Sequence, residues 1–117
     1  EKLAQVGGTV GYRVGGFRKV APWTQIEYMT EGTLLQMLMR KGADALRGVR
    51  AVILDEAHER SVRLDLLLGW LYKMQLEQLP DLCLVVTSAT LDVQLFSHYL
   101  QDCAVLEIAG RMFPVED

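Results

Sequence analysis

The apolar residues of the chain fall into short runs typical of strands and longer runs typical of helices. The run 51–54 is too short for a helix, and its β-branched Val52 and Ile53 favour a strand. Because this run contains no polar residue, we predict a central strand over 49–55 that is buried on both faces of a parallel sheet. The run 82–86 has the same character and predicts a second fully buried strand.

The rest of the pattern alternates strands with helices. The further predicted strands are 9–14, 24–29 and 104–108, and the first of them enters a turn at Gly15-Gly16. The predicted helices are 31–40, 61–78 and 92–100. Thr30 suits the N-cap of the first helix, and Lys41-Gly42 suits its end. This order of elements predicts an α/β protein, a three-layer α/β/α domain with a mainly parallel sheet.

The composition is that of one globular domain. The chain has 117 residues, of which 50% are hydrophobic and 23% are charged, and its net charge is -3. This is enough for one core and too little for two ordinary domains. No apolar run reaches the roughly 18 residues that a membrane span requires, and no signal peptide is visible, so no membrane partner is expected. The chain does not begin with Met, and we interpret it as a piece of a longer protein.

The two cysteines give no sign of a metal site or a disulfide. Cys83 and Cys103 form no Cys-x-x-Cys pair, and neither has a His at zinc-finger spacing. We predict buried free thiols in a reducing compartment. The protein is therefore expected to be intracellular, in the cytoplasm or nucleus, with an organelle also compatible.

The glycine-rich segment 1–22 does not match a phosphate-binding loop. Nothing in the chain fits Gly-x-x-x-x-Gly-Lys-[Ser/Thr], the pattern whose backbone amides and lysine hold nucleotide phosphates. The acidic net charge argues weakly against nucleic acid as a partner, but residues 1–20 have a modest basic bias. A solvated loop explains that bias equally well.

Two adjacent carboxylates follow the central strand. Asp55 and Glu56 are expected at its carboxyl end, where open α/β sheets bind ligands. One carboxylate there can hold Mg²⁺ beside nucleotide phosphates, and the second can orient an attacking water. The simpler alternative is that the pair only begins a polar loop. His58 does not start a zinc-protease His-Glu-x-x-His motif, and we interpret Glu59 and Arg60 as an ion pair that shapes the loop.

Four short segments stand in the order and near the spacing of a known family. They are Val10-Gly11-Tyr12-Arg13-Val14, Thr30-Glu31-Gly32-Thr33-Leu34-Leu35, Asp55-Glu56-Ala57-His58-Glu59-Arg60-Ser61 and Ser88-Ala89-Thr90. With these segments, nearly the whole chain resembles the DEAH-box (DEAH/RHA) helicases of helicase superfamily two. The segment 110–115 is also similar to that family and predicts a turn that leads out of the domain.

The resemblance implies that the protein uses ATP and Mg²⁺. It implies that Asp55 binds the magnesium of Mg-ATP, and that Glu56 polarises the attacking water and reaches the metal through water. His58 is expected to couple the nucleotide site to the next motif. The implied coupling residues in that motif are Ser88, Ala89 and Thr90. The alternative for residues 87–90 is that they only cap the following helix.

By the same resemblance, residues in the first half of the chain contact nucleic acid. Thr30 and Gly32 are expected to hold a backbone phosphate at the start of a helix, and Arg13 is expected to take part. The alternative for Thr30 is a plain helix cap. Gly15 and Gly16 stand where the family commonly has an Arg and an aromatic residue, so we give that turn no contact of its own.

The resemblance implies a fragment of an ATP-dependent RNA helicase, an NTP hydrolase that couples hydrolysis to movement along RNA and to unwinding. Residues 1–117 are then the C-terminal part of the first RecA-like ATP-binding domain, which is of the P-loop NTPase type and incomplete at its N-terminus. The phosphate-binding loop and the second motor domain are expected outside this chain, so the fragment alone is expected to be inactive. Two alternatives stay open. They are a DNA helicase or other nucleic-acid-stimulated NTPase, and an inactive nucleic-acid-binding scaffold.

Overall fold

The computed structural model describes residues 5–90 and 92–110 of the chain. Its strands are β1 Val10–Val14, β2 Phe17–Lys19, β3 Ile26–Met29, β4 Ala51–Leu54 and β5 Cys83–Val86. Its helices are α1 Glu31–Lys41, α2 Val62–Glu77 and α3 Val93–Tyr99, and short 3₁₀ turns at Gly42–Leu46 and Ala57–Glu59 follow α1 and β4. No helix in the described ranges is long and apolar enough to cross a membrane.

The described strands lie in two sheets. In the first sheet, β1 pairs antiparallel with β2 and parallel with β3. The β1–β2 hairpin turns at Gly15 and Gly16, whose φ angles of 43° and 81° suit glycine because it has no Cβ. In the second sheet, β4 and β5 are parallel neighbours, with Leu54 opposite Val86. The parallel β4–β5 pair, which is joined through α2, agrees with the predicted α/β class. β2 is an antiparallel strand that the pattern did not predict.

The helices cover one face of β4. Val52 and Leu54 are buried in the same core as the apolar side chains of α1 and α2. Those side chains are Leu34, Leu38, Leu64, Leu67, Leu68, Leu71 and Met74. Ile53 is 65% exposed, because successive strand residues point to opposite faces and the other face is uncovered in the described residues. The prediction of burial on both faces is therefore wrong for β4, and also for β5, whose residues are exposed or partly buried.

Polar side chains cap the starts of the two long helices, and the cap of α1 is as predicted. Thr30 caps α1 by accepting a hydrogen bond from the Thr33 N–H (3.3 Å), and Gly42 follows the helix with a φ of 56°. Ser61 caps α2 in the same way and accepts from the Leu64 N–H (3.1 Å). The limits of α1 could be predicted because a cap depends on residues within one turn of the chain.

Residues 104–108 form no strand within the described segment 92–110, so the prediction of a third strand there is wrong. Leu106 and Ile108 are each 89% exposed. A strand requires a neighbour to pair its backbone N–H and C=O groups, and the described residues provide no such neighbour here. The turn predicted over 110–115 lies, after its first residue, outside the described residues.

Cys83 and Cys103 are both free thiols, and both are exposed. The prediction of free thiols is confirmed, and the prediction that they are buried is wrong. Cys83 lies opposite Ala51 in the β4–β5 pair, and both residues are exposed. Apolar neighbours in the sequence did not imply burial, because only one face of this strand pair is covered.

Candidate active site

The parallel pairing of β4 and β5 brings the residues that follow each strand to one edge of the sheet. Asp55 follows β4, and Thr87 follows β5. The backbone hydrogen bonds continue past both strands. The Thr87 N–H donates to the Leu54 carbonyl (2.9 Å), and the Ala57 N–H donates to the Thr87 carbonyl (3.0 Å). The two loops therefore meet at the carboxyl edge of the strands, where open α/β sheets bind ligands.

Asp55 has an oriented and charged carboxylate. Its Oδ1 accepts hydrogen bonds from Thr87 Oγ1 (2.5 Å) and from the backbone N–H of Glu56 (2.9 Å). The pKa of Asp55 lies below its usual range, first because of the Thr87 hydroxyl and second because of the Glu56 N–H. Asp55 is exposed, so a charged oxygen is accessible to a ligand at neutral pH.

The chain turns sharply at Glu56. Its backbone is left-handed (φ 58°, ψ 39°), a conformation that costs a residue other than glycine about 1–3 kcal/mol. The next residue, Ala57, is fully buried and holds the turn against the core. The Glu56 side chain is exposed, with Oε2 3.2 Å from Nε2 of His58. This turn presents a second carboxylate to solvent directly after Asp55.

His58 connects the loops that follow the two strands. Its Nε2 faces Glu56, and its Nδ1 lies 3.1 Å from Oγ of Ser88. Ser88 Oγ also accepts a hydrogen bond from the backbone N–H of Thr90 (3.2 Å). The structure thus brings together three of the predicted coupling residues, with Thr90 taking part through its backbone. Ala89 lies between them and has no polar side chain.

The donor set suits Mg²⁺ at the carboxylates better than at the histidine. Ligand atoms of Glu56, His58 and Glu59 lie within 4.8 Å of one another, an arrangement that exposed acidic groups also adopt without a metal. Mg²⁺ prefers carboxylate and phosphate oxygens, whereas imidazole favours transition metals. Both hydrogen bonds to Asp55 end on Oδ1, and no described residue donates to its Oδ2. That free oxygen fits the predicted magnesium ligand.

Arg60 connects the loop to two helices. The predicted ion pair with Glu59 is wrong, because Arg60 Nε and Nη2 donate to the two carboxylate oxygens of Asp65 in α2 (3.0 and 3.2 Å). The guanidinium carbon also lies 5.9 Å from the centre of the Phe96 ring in α3. The backbone at Arg60 is left-handed (φ 48°) directly before α2, which brings this side chain to the first turns of that helix.

Thr30 and Gly32 lie at the start of α1, beside the start of α2. The Thr30 hydroxyl caps the helix and lies 2.8 Å from Oγ1 of Thr33, so its contacts agree with the alternative of a plain cap. Gly32 leaves the first turn without a side chain. Ser61 Oγ donates to Oε2 of Glu31 (2.8 Å) and fastens the starts of the two helices to each other.

A basic groove of about 330 Å³ lies between the β1–β2 hairpin and α1. Its lining includes Arg13, Phe17, Arg18, Thr33, Gln36 and Arg40. Arg13 forms an ion pair with Glu27 on the neighbouring strand β3, so part of its charge is compensated. Sequence reasoning singled out Arg13 and missed Arg18, Arg40 and Phe17. No signal along the chain marked these three, because only the packing of the hairpin beside α1 brings them together.

Sequence reasoning also missed the contact between Thr87 and Asp55. A signal was present, since the residues that follow two paired parallel strands lie beside each other at the same edge. To predict the contact from this signal, one must also know the register of β4 and β5, in which Leu54 lies opposite Val86. Two uniformly apolar runs can slide past each other without changing their pattern, so the register was not readable from them.

Comparison with known proteins identifies the family. The family model described as DEAD/DEAH box helicase matches residues 6–96, which is more than half of the chain. The chain belongs to the DEAD/DEAH box helicase family. It is 38% identical over 116 residues to the ATP-dependent RNA helicase HrpA of Escherichia coli, covering 99% of this chain and 9% of that protein. It is 42% identical over 116 residues to the putative ATP-dependent RNA helicase DHX57 of Homo sapiens, covering 99% of this chain and 8% of that protein.

The fold is similar to that of a solved helicase. The crystal structure of the Escherichia coli DEAH/RHA helicase HrpB matches with a TM-score of 0.83 and 44% identity, over 95% of this chain and 14% of that chain. This likeness confirms the predicted α/β fold class, and the relatives confirm the resemblance to DEAH-box helicases. The chain spans less than a sixth of the length of these relatives, so what the whole protein does is a matter for proposal.

Proposed function

We propose that residues 1–117 are the C-terminal part of the first RecA-like ATP-binding domain of an ATP-dependent RNA helicase. The supporting observation is the hydrogen-bonded group of Asp55, Glu56, His58, Thr87 and Ser88 at the carboxyl ends of two parallel strands. The relatives HrpA and DHX57 are named as ATP-dependent RNA helicases, which supports ATP and RNA as ligands of the parent protein. The phosphate-binding loop and second motor domain belong, in this proposal, to other parts of that parent.

Glu56 is the proposed general base. In ATP hydrolysis, a water oxygen bonds to the γ-phosphorus, the bond from the γ-phosphorus to the bridging oxygen breaks, and ADP and phosphate leave. The water must lose a proton, which a positioned carboxylate can accept. Glu56 is exposed to water, and His58 holds one of its carboxylate oxygens at 3.2 Å. The other oxygen is then available to the attacking water.

Asp55 is the proposed magnesium residue, and Glu56 reaches the same ion through water. Asp55 is charged and exposed, and its Oδ2 accepts no hydrogen bond from any described residue. These properties suit an ion that binds through one or two carboxylates and keeps several of its waters. When bound, Mg²⁺ neutralises part of the phosphate charge that develops during hydrolysis.

The segment Ser88-Ala89-Thr90 is the proposed link between hydrolysis and movement. His58 contacts Glu56 with one ring nitrogen and Ser88 with the other, so a shift of the Glu56 carboxylate alters the bond to Ser88. The Thr90 N–H extends this set of contacts in the direction of α3. Hydrogen bonds between partly exposed side chains exchange readily with water, which suits a contact that must change in every cycle.

The basic groove is the proposed site of the RNA backbone. Arg18 and Arg40 provide positive charge, and Phe17, which is 78% exposed, offers a ring on which a base can stack. Thr30 and Gly32 are proposed to contact a phosphate at the start of α1, where free backbone N–H groups face outward. Arg13 has a smaller proposed role, because Glu27 shares its charge. Contacts of this kind are made to phosphate, so DNA is the alternative ligand.

The chain by itself is expected to be inactive. Its sequence has no Gly-x-x-x-x-Gly-Lys-[Ser/Thr] pattern with which to hold the nucleotide phosphates. Turnover is therefore a property of the longer parent. Because both ATP and RNA are found inside cells, we propose an intracellular setting, in the cytoplasm or nucleus or in an organelle.

ATP turnover by the full-length parent, measured with and without single-stranded RNA, tests the proposed function. We expect RNA to raise turnover, and we expect Glu56→Gln to lower it by about 10²–10⁴-fold, the usual contribution of general-base catalysis. ATP binding should persist in that variant, since the amide keeps the shape of the carboxylate. Glu59→Gln is the matched control, because it makes the same chemical change at an exposed residue outside the proposed machinery.

Each other outcome has a distinct meaning. Stimulation of turnover by DNA and not by RNA would support an ATP-driven helicase whose substrate is DNA. A folded parent that binds RNA but shows no turnover would contradict the enzyme and leave a nucleic-acid-binding scaffold. An equal loss of turnover in the Glu59→Gln control would show that general loop disturbance, rather than a missing base, explains the effect at Glu56.

A further inference from the structure

Thr87 contacts three consecutive parts of the loop that follows β4. Its backbone N–H donates to the Leu54 carbonyl (2.9 Å), and its carbonyl accepts from the Ala57 N–H (3.0 Å). Its hydroxyl donates to Oδ1 of Asp55 (2.5 Å). Because the two backbone bonds extend the β4–β5 ladder, the strand pairing itself sets the position of the hydroxyl. The contact with Asp55 does not depend on a freely moving loop.

The Asp55 side chain requires a restraint of this kind. It is exposed, and carboxylate groups rotate broadly about their last torsion. The Glu56 N–H donates to Oδ1 from the adjacent residue, which restrains the carboxylate from one side only. Thr87 donates to the same oxygen from the neighbouring strand, and its β-branched side chain has few rotamers. Two donors on Oδ1 fix the plane of the carboxylate and leave Oδ2 without a described partner.

We propose that Thr87 is a positioning residue for the magnesium of Mg-ATP, because its hydroxyl holds Oδ1 of Asp55 and so presents Oδ2 to the metal and its waters. This inference rests on the proposed function, since it requires a metal-bound nucleotide at Asp55. In this proposal, Thr87 contacts neither the nucleotide nor the reacting atoms. Its effect is exerted through the orientation of Asp55.

Thr87 and Ser88 are consecutive residues with different partners. Thr87 bonds to Asp55, and Ser88 bonds to His58. Side chains of consecutive residues at the end of a strand point in different directions, which allows two neighbours to serve two separate groups. In the segment after β5, Thr87 therefore orients the Asp55 carboxylate, and the next residue, Ser88, contacts His58.

The alternative is that the Thr87 hydroxyl only stabilises the loop. Two substitutions separate the two roles. Thr87→Val removes the hydroxyl and keeps the size and branching of the side chain, and Thr87→Ser keeps the hydroxyl and removes the methyl group. Positioning depends on the hydroxyl, whereas a packing role depends on the methyl group. The matched control is Thr9→Val, the same change at an exposed threonine outside the proposed machinery.

The experiment measures equilibrium binding of a fluorescent ADP analogue to the full-length parent while the Mg²⁺ concentration is varied. We expect Thr87→Val to require about tenfold more Mg²⁺ for half-maximal binding, the lower end of the effect of removing a residue that orients a metal ligand. Binding in the presence of a chelator should not change. Thr87→Ser should stay within about twofold of the natural protein, and Thr9→Val should match it. ATP turnover at saturating Mg²⁺ should recover most of its value in Thr87→Val.

Other results would overturn the inference. A Thr87→Val titration that superimposes on the natural one would show that the hydroxyl does not position Asp55. An equal shift in Thr87→Ser would assign the effect to the methyl group and to packing. If Thr87→Val does not fold, Thr87→Ala against Thr87→Ser decides the question, since only the serine retains the hydroxyl.

The same titration separates this inference from the proposed function. A natural parent whose nucleotide binding ignores Mg²⁺ would contradict both this inference and the proposed assignment of Asp55 to magnesium. A natural parent that requires Mg²⁺, with an unaffected Thr87→Val, would contradict the role of Thr87 alone. RNA-stimulated turnover is a separate measurement and stands or fails independently of both results.

Discussion

The two candidate functional regions of this chain are built in different ways. At the edge of β4 and β5, polar side chains bond to one another across the loops, as Asp55 does with Thr87 and His58 does with Ser88. In the basic groove, Arg18 and Arg40 have no ion-pair partner among the described residues, and only Arg13 is paired. Hydrolysis requires groups held in place before reaction, whereas backbone phosphates attract charge with little demand on geometry. The hydrogen-bonded edge of β4 and β5 therefore suits hydrolysis, and the basic groove, with two arginines unpaired among the described residues, suits binding of a phosphate backbone.

The largest effect should follow from breaking the ordered site at Asp55. In the full-length parent, Asp55→Asn removes the charge that suits Mg²⁺ and retains the shape of the side chain. Loss of metal-assisted charge stabilisation, worth several kcal/mol, should reduce ATP turnover by at least about a hundredfold. Steady-state turnover at high Mg²⁺ measures this. A variant that keeps natural turnover at the natural Mg²⁺ requirement would contradict the assignment of Asp55.

An intermediate effect should follow from breaking the contact between His58 and Ser88. We expect His58→Ala and Ser88→Ala each to reduce the stimulation of ATP turnover by RNA. The double variant should lose little more than one single variant, because contacting residues show interaction energies of about 0.5–3 kcal/mol. A double-mutant cycle on the stimulation factor measures this energy. Additive losses would show that the two residues act separately.

A smaller effect should follow from changing the groove. Arg18→Ala and Arg40→Ala should each weaken RNA binding and reduce the slope of log affinity against log salt by about 0.7, the value for one phosphate contact on a single strand. Arg13→Ala should change the slope less, because Glu27 already compensates its charge. Binding titrations at several salt concentrations test this ranking. A larger change for Arg13 than for Arg40 would reverse the proposed importance of the two residues.

The smallest effect concerns acid pH. The pKa of Asp55 is lower in the folded protein than its usual value, because Thr87 and the Glu56 N–H bond to the charged form. The stability from these bonds is fully present above the usual pKa of an aspartate and is lost as the pH falls through the lowered folded pKa. Denaturant unfolding at a series of acidic pH values should therefore show a shallower decline for Asp55→Asn. An identical decline would show that these bonds do not persist in solution.

Sequence patterns predicted the helices α1, α2 and α3 well. Thr30 caps α1, and Asp55 follows an apolar strand, because each feature depends on neighbours within a few residues. Arg60 shows the limit of such reasoning. Its adjacent acid, Glu59, was the expected partner, but the left-handed turn before α2 brings it to Asp65.

The sequence by itself determined the family, the α/β class and the identity of the carboxylates and hydroxyls at the strand ends. Ordered motifs and apolar periodicity are properties of the local sequence, so they can be identified without a structure. Only the tertiary structure decided which of these groups meet. The exposure of Ile53 depends on which face the helices cover, and the groove depends on how the hairpin lies beside α1. The bond between Thr87 and Asp55 depends on the register of two uniformly apolar strands. Such contacts join residues far apart in the chain, and local sequence has little energetic influence over them.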